Sequence, residues 1–290
     1  MNHLLSNIVA GAWRMADWQL DPQQRLRWIE QNVELGITSF DHADIYGGYQ
    51  VETLFGEALA LQPSLRHQIQ IVTKCGIRLR SDARPENGFH CYDTSAAHVR
   101  ASVEHSLRAL RTDHVDLLLI HRPDALMDAS ELADTFHALR REGKVHHFGV
   151  SNFMPWQLEL LHARCPLVTN QVELSPLKLD VLHDGTLDQC QRLGLRPMIW
   201  SPLAQGRIFT GDDDAARRVR VELQRQADEL GTTITTLVFA WLLRHPSRPL
   251  PILGSRRLEA AREAVAALDL RLDNQRWYRI WTAAAGHEVP

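Results

Sequence analysis

The sequence predicts an α/β fold, a closed (β/α)8 TIM barrel, and three observations carry that expectation. Short apolar runs, mostly four to six residues long, alternate with longer amphipathic ones along the whole chain. Eight such alternations occur, and eight parallel strands, each followed by helix, close into a barrel rather than ending as an open sheet. No Pro- or Gly-rich linker divides the 290 residues, so residues 1–290 are expected to form one domain.

The expected strands are Ile8–Trp13, Ile37–Asp41, Ile69–Lys74, Val115–Ile120, His146–Val150, Leu167–Val172, Arg196–Trp200 and Leu250–Leu253. They are rich in Val, Ile and Leu, as strands covered on both faces should be. Helical patterns lie between them. Pro22–Leu35 begins after Asp21, which suits an N-cap, and stops at Gly36. Val51–Leu61, Thr94–Leu110, Ser130–Glu142, Pro155–Ala163 and Thr186–Leu193 follow. Asp214–Leu230 and Thr232–Arg244 come in succession, and Arg257–Leu268 is the last helix of the cycle. Two stretches read as long loops, Arg78–Asp93 and Gly206–Asp213.

Composition excludes several function classes. Hydrophobic residues make up 44% and charged residues 23%, which are globular proportions, and a net charge of -3 without a basic run is no nucleic-acid footprint. Asp212-Asp213-Asp214 reads as a solvated loop before a helix. Cys75, Cys91, Cys165 and Cys190 form no CxxC pair and are expected as reduced thiols, which points to the cytoplasm. No signal peptide, membrane span or coiled-coil heptad is apparent, and a monomer is expected. Adjacent His146 and His147 face opposite ways on a strand, so structural roles are expected for both and no metal site is anticipated.

In barrels of this kind the chemistry sits where strands end. After the second strand come Asp41 and Tyr46, after the third Lys74, and after the fourth His121. The fifth ends in Ser151-Asn152, the sixth in Gln171, the seventh in Trp200-Ser201 and the eighth in Gly254-Ser255. Packing does not explain a polar residue closing each apolar run. A tyrosine of ordinary pKa near 10 is a weak acid. A neighbouring ammonium from Lys74 is expected to lower it, with Asp41 keeping Lys74 charged and His121 hydrogen-bonding a carbonyl oxygen. Such an acid is needed where hydride attacks a carbonyl and an oxyanion develops. Trp13, at the first strand end, reads as substrate wall or cofactor contact, and Trp241 reads as core. Asp44 and His42 flank the key residues as candidates for a supporting role.

A set of segments then resembles the aldo-keto reductase family: Gly11–Trp13, Phe40–Gly47, Ile71–Cys75, Asp116–His121, Gly149–Phe153, Asn170–Glu173 and Trp200–Leu203, in the family's order. Asp41–Gln50 is most similar to a bacterial subfamily of general NADP-dependent oxidoreductases. The resemblance implies a carbonyl reductase using NADP(H) on a small-molecule substrate, with Tyr46 as general acid and Asp41, Lys74 and His121 assisting. It implies that Ser151, Asn152 and Gln171 hold the nicotinamide carboxamide and that Trp200 stacks on the ring. Ser201, Pro202, Leu203, Gly206 and Arg207 would wrap the pyrophosphate, and Gly254, Ser255 and Arg256 would reach the adenosine phosphate. Gly254 stands where the family carries Lys, and Ala260 and Ala264 replace an Arg and an Asn, so Arg256, Arg257 and Arg262 are expected to meet the phosphate.

Two other readings compete. Some relatives of the family bind nucleotide as regulatory subunits without turnover. A barrel aldolase would use Lys74 to form a Schiff base and would not depend on a dinucleotide.

Overall fold

The computed structural model describes residues 4–289. Its strands are β1 (Val9–Gly11), β2 (Ser39–Asp41), β3 (Gln70–Cys75), β4 (Ile77–Arg78), β5 (Cys91–Tyr92), β6 (Val115–Ile120), β7 (Val145–Ser151), β8 (Asn170–Glu173), β9 (Met198–Trp200) and β10 (Leu250–Leu253). All but β4 and β5 form a closed parallel barrel in the order β1-β10-β9-β8-β7-β6-β3-β2. The expected barrel is therefore the observed one. Its seam is the pairing of β1 with β10, Val9 opposite Ile252.

Around it lie α1 (Pro22–Glu34), α2 (Val51–Leu59), α3 (Ala96–Leu110), α4 (Ala129–Arg141), α5 (Pro155–His162), α6 (Thr186–Leu193), α7 (Arg207–Thr210), α8 (Asp214–Leu230), α9 (Ile234–Leu243), α10 (Leu258–Ala266) and α11 (Asn274–Ala285). Local chemistry fixes several ends. Asp21 accepts from the Gln24 amide at 2.7 Å while the Gln24 side chain accepts from the Asp21 amide at 2.9 Å, a closed capping box followed by Pro22. Asp213 caps α8 by accepting from Ala216 N at 3.0 Å, which gives the acidic run its structural role. Helix α9 is apolar on nearly every face because it is buried on nearly every face, with Trp241 among the largest fully buried side chains.

Alternation along the strands divides the core in two. Leu5, Val9, Val72, Leu117, Leu119, Met198, Leu250 and Ile252 fill the barrel interior. Phe40, Ile71, Leu118, Phe148 and Val150, at the opposite parity, pack outward under the helices. Counting on by two from the inner residues reaches Lys74 from Val72 and His121 from Leu119. The same step reaches Trp200 from Met198 and Gly254 from Ile252. The polar strand ends are thus inward positions beyond the last apolar layer.

Strand and helix limits differ from expectation by a few residues. Ile8, Ile37 and Leu167 are buried without joining the ladder. The Arg78–Asp93 stretch is not all loop. It is pinned by the β4–β5 hairpin, Ile77 opposite Tyr92, and by Tyr49, whose hydroxyl accepts from Leu79 N at 2.9 Å. The Gly206–Asp213 stretch contains α7. The cycle ends with α10, within the expected Arg257–Leu268, and an unanticipated further helix, α11, follows it and packs on α8. Trp277 of α11 stacks on Trp241 at 5.0 Å, and each indole N–H donates to the other's carbonyl, at 3.1 and 3.0 Å. No helix among the described residues is long and apolar enough to cross a membrane, and the four cysteines are free.

Gly56 of α2 marks the closest helix approach beside the site. A Cβ there would stand 2.1 Å from Ala109 O and 2.8 Å from Leu110 C of α3. Gly56→Ala is expected to lower stability by about 1–3 kcal/mol, because backbone rather than a side chain must move. A shift of the urea midpoint at unchanged slope would register this, and an unchanged midpoint would refute the contact.

Candidate active site

At the C-terminal mouth, β2, β3 and the loop after β2 bring Asp41, Lys74 and Tyr46 into one cluster. Lys74 Nζ is fully buried and donates to Asp41 Oδ1 (2.9 Å), Asp41 Oδ2 (2.8 Å), the His42 carbonyl (2.7 Å) and the Tyr46 hydroxyl (3.0 Å). His121, at the end of β6, completes the quartet with its ring edge-on to Tyr46 at 5.9 Å between centroids. The four residues that the sequence singled out do meet.

Their protonation follows from burial and neighbours. Burial pushes the Lys74 ammonium toward losing its proton, but the Asp41 carboxylate and the Tyr46 oxygen more than offset this and hold its pKa above the ordinary value. Burial also raises the Tyr46 phenol, and the opposing pull of Lys74 does not reverse it. This corrects the expectation of a tyrosine tuned downward, because desolvation of a would-be phenolate outweighs one ammonium 3.0 Å away. Burial, with Lys74 and Arg122 adding to it, holds His121 well below the usual imidazole range, so its ring is neutral. Its Nδ1 is buried without a protein partner.

A second hydrogen-bonded group runs along β7, β8 and β9 and joins the first. Gln171 Nε2 donates to Asp41 Oδ1 at 2.7 Å. Ser151 Oγ donates to the Gln171 carbonyl at 3.0 Å and accepts from Asn152 Nδ2 at 2.8 Å. Trp200 Nε1 donates to Asn152 Oδ1 at 3.0 Å. Asn152 sits at φ 60 and Ser201 at φ 51, left-handed conformations that turn the chain away from β7 and β9. Beyond Pro202 and Leu203, the residues Ala204, Gln205 and Gly206 are all left-handed and coil the loop into α7.

The remaining candidates spread outward. Trp13 is half exposed, with the Arg14 guanidinium 5.4 Å from its ring centre. Arg207 pairs with Asp213 at 2.7 Å. Gly254 has open space where a side chain would stand. The Ser255 carbonyl accepts from Trp28 Nε1 at 3.3 Å, and Arg256 donates to the Trp18 carbonyl at 3.0 Å. A cavity of about 380 Å³ opens between α1 and this segment, lined by Arg27, Trp28, Arg256 and Arg257. Three guanidiniums around one cavity suit a phosphate. Arg262 lies outside it and pairs with Glu259 on the solvent face of α10, while Ala260 and Ala264 are buried. Side-chain amides and an indole thus lie at one end of this stretch and arginines at the other.

Sequence reasoning missed Arg122, whose guanidinium lies 6.0 Å from the Trp200 ring centre. Its signal was its place directly after His121. Of the layer behind the site, Asp44 and His42 were anticipated in a supporting role and Glu52 was missed. Glu52 of α2 accepts from Thr73 Oγ1 on the outer face of β3 at 2.5 Å, and burial raises its pKa to about 7. Asp44, raised well above the carboxylate range by burial and by Glu52, accepts from Ile45 N at 2.7 Å. His42 is completely buried edge-on to Phe55, both ring nitrogens lack partners, and burial with Lys74 lowers its pKa to about 3.

Comparison with known proteins places this geometry. The sequence model of the aldo/keto reductase family matches residues 7–284, and the chain belongs to the aldo-keto reductase family. It is 52% identical over 288 residues to oxidoreductase YdhF of Escherichia coli (strain K12), covering 98% of this chain and 95% of that one. It is 45% identical over 288 residues to a 6-dehydroglucose reductase of Agrobacterium fabrum, covering 98% and 96%. Among solved structures, an aldo/keto reductase from Klebsiella pneumoniae in complex with NADP and acetate superposes with a TM-score of 0.77 at 26% identity, covering 95% and 90% of the two chains.

His42 yields a pH signature. Its folded pKa of about 3 lies below the ordinary 6.5, so its contribution to stability is complete above pH 6.5 and is lost as pH falls toward 3. Replacing it by leucine should flatten the acid limb of stability between pH 6.5 and 4, by up to about 1.4 kcal/mol per pH unit. Glu52 acts with the opposite sign but equally in both proteins, so it cancels in the comparison. Parallel pH–stability curves for wild type and His42→Leu would count against a neutral, buried His42.

Proposed function

We propose that the chain catalyses the NADP(H)-dependent reduction of an aldehyde or ketone to an alcohol, with Tyr46 as the proton donor. The observation that carries this reading is the bond from Lys74 Nζ to the Tyr46 oxygen at 3.0 Å. Because the ammonium donates, the phenolic oxygen is the acceptor, and its own hydrogen is free to point into the cavity. As a carbonyl oxygen gains negative charge, Tyr46 delivers that proton, and the adjacent ammonium stabilises the phenolate left behind. Asp41 holds Lys74 charged and in place, and the neutral His121 orients the carbonyl from the other side.

The nicotinamide cofactor supplies the hydride when bound. Ser151, Asn152 and Gln171 would hold its carboxamide, and Trp200, steadied by Asn152, would offer an aromatic face to its ring. Ser201, Pro202, Leu203, Gly206 and Arg207 would enclose the pyrophosphate. Gly254, Ser255 and Arg256, with Arg257 lining the same cavity, would meet the adenosine phosphate. Arg262 would have to leave Glu259 to join them. Trp13 would border the substrate.

A Schiff-base role for Lys74 is disfavoured, since a nucleophilic lysine needs a lowered pKa and this one is raised. A non-catalytic regulatory subunit would have no need of the assembled quartet. Trp13 and Arg122 stand just beyond the C-terminal ends of β1 and β6 and Trp200 ends β9, and a 45% identical relative bears the name 6-dehydroglucose reductase. Hydroxylated, sugar-derived aldehydes therefore head the substrate class proposed.

Loss of NADPH absorbance with a panel of simple and hydroxylated aldehydes tests the reading. Tyr46→Phe should lower kcat by about 10²–10⁴-fold while NADPH still binds by fluorescence titration. Full turnover by Tyr46→Phe would remove the proposed proton donor. Tight NADPH binding by wild type with no turnover on any carbonyl would favour the regulatory reading instead.

A further inference from the structure

The N-terminal face of the barrel, at the other end of β6 from His121, carries a side-chain group that carbonyl reduction does not use. His114 precedes β6, Asp116 is the second residue of β6, and His146 is the second residue of β7. The register sets Val115 against Val145 and Leu117 against His147, so Asp116 stands directly across from His146. Alternation turns both outward, on the side of Leu118 and Phe148. One ligand atom from each of His114, Asp116 and His146 lies within 4.8 Å of the others. The two imidazoles are stacked, with centroids 4.4 Å apart and planes 25° apart, so one ring must swing out of the stack for both in-plane lone pairs to meet one ion. The partner of His146 is thus not its neighbour His147 but a histidine on the approach to the next strand.

The surroundings orient these three groups. Asp113 Oδ1 lies 2.6 Å from His114 Nδ1, an arrangement that fixes a ring and makes its other nitrogen a better ligand. Asp116 Oδ2 accepts from Arg66 Nη2 and from Ile71 N, both at 2.8 Å, so Oδ1 takes part in neither bond.

We propose that His114, Asp116 and His146 form a binding site for a divalent transition-metal ion of the zinc, nickel or copper class. Arg66 decides the class. Its guanidinium already balances the charge of Asp116, so hard ions such as calcium or magnesium, which rely on carboxylate charge, find little here. The imidazoles carry the affinity, and imidazole suits zinc, nickel and copper. Water completes the coordination shell, and the bound ion ties the starts of β6 and β7 together, far from the Tyr46 cavity.

Isothermal titration of the tag-free full chain with Zn²⁺, and separately with Ni²⁺, tests the site. One equivalent should bind with a micromolar Kd and raise Tm. His146→Ala and His114→Ala should each weaken binding by at least about tenfold and abolish the Tm rise. Cys91→Ser, which removes the one thiol that is not buried, should leave binding unchanged. Wild-type NADPH binding by the histidine variants would establish that they are folded. Unchanged binding in both histidine variants, or no saturable binding by wild type, would overturn the proposal.

Discussion

A buried ammonium organises this molecule. Lys74 lies wholly inside the barrel, where an unpaired charge would be far too costly to keep. Its three N–H groups face four acceptors within 3.0 Å, so the interaction with Asp41 is shared between the two carboxylate oxygens. Removing one partner of such a pair typically costs about 3–5 kcal/mol, because the other is left charged and dry. The positions of β2, β3 and the loop that carries Tyr46 are therefore tied to one cation.

The constraint passes around the ring. Asp41 is held from below by Lys74 and from across the barrel by Gln171, and Ser151, Asn152 and Trp200 continue the chain of hydrogen bonds to β9. The quartet around Lys74 and the group from Gln171 to Trp200 thus share one network, rooted on the strand ends of the closed barrel. Outside the wall, Glu52 bonded to Thr73 fixes α2 against the same strand that carries Lys74.

Much of this was legible in the sequence, for a definite reason. Strands covered on both faces are uniformly apolar, so a polar residue at their ends stands out, and the parity of Val72 to Lys74 or Leu119 to His121 fixes the direction it faces. What the sequence hid depends on three-dimensional neighbours. The β4–β5 hairpin is two residues to a strand and owes its form to the Tyr49 hydroxyl rather than to pattern. Helix α11 shows its apolar stripe in Trp277, Ile280, Trp281 and Ala284, yet the pattern comes after a full barrel cycle. Residue identity names the charge beside Tyr46 but not the burial around it, and burial decides the direction of its pKa. The arginines behaved likewise: Arg256, ahead of α10, lines the cavity, while Arg262, within α10, turns to Glu259.

The seam between β1 and β10 bears on how the protein is made. The first and last strands of the barrel are neighbours, and Gly11 sits so close to the seam that a Cβ there would lie 2.8 Å from Ile252. During synthesis, β1 and β9 each present a free edge until β10 has left the ribosome, and free edges invite pairing with other chains. Until β10 is made, any sheet the nascent chain forms stays open at both edges, and α11 is made only after the strand that closes the ring.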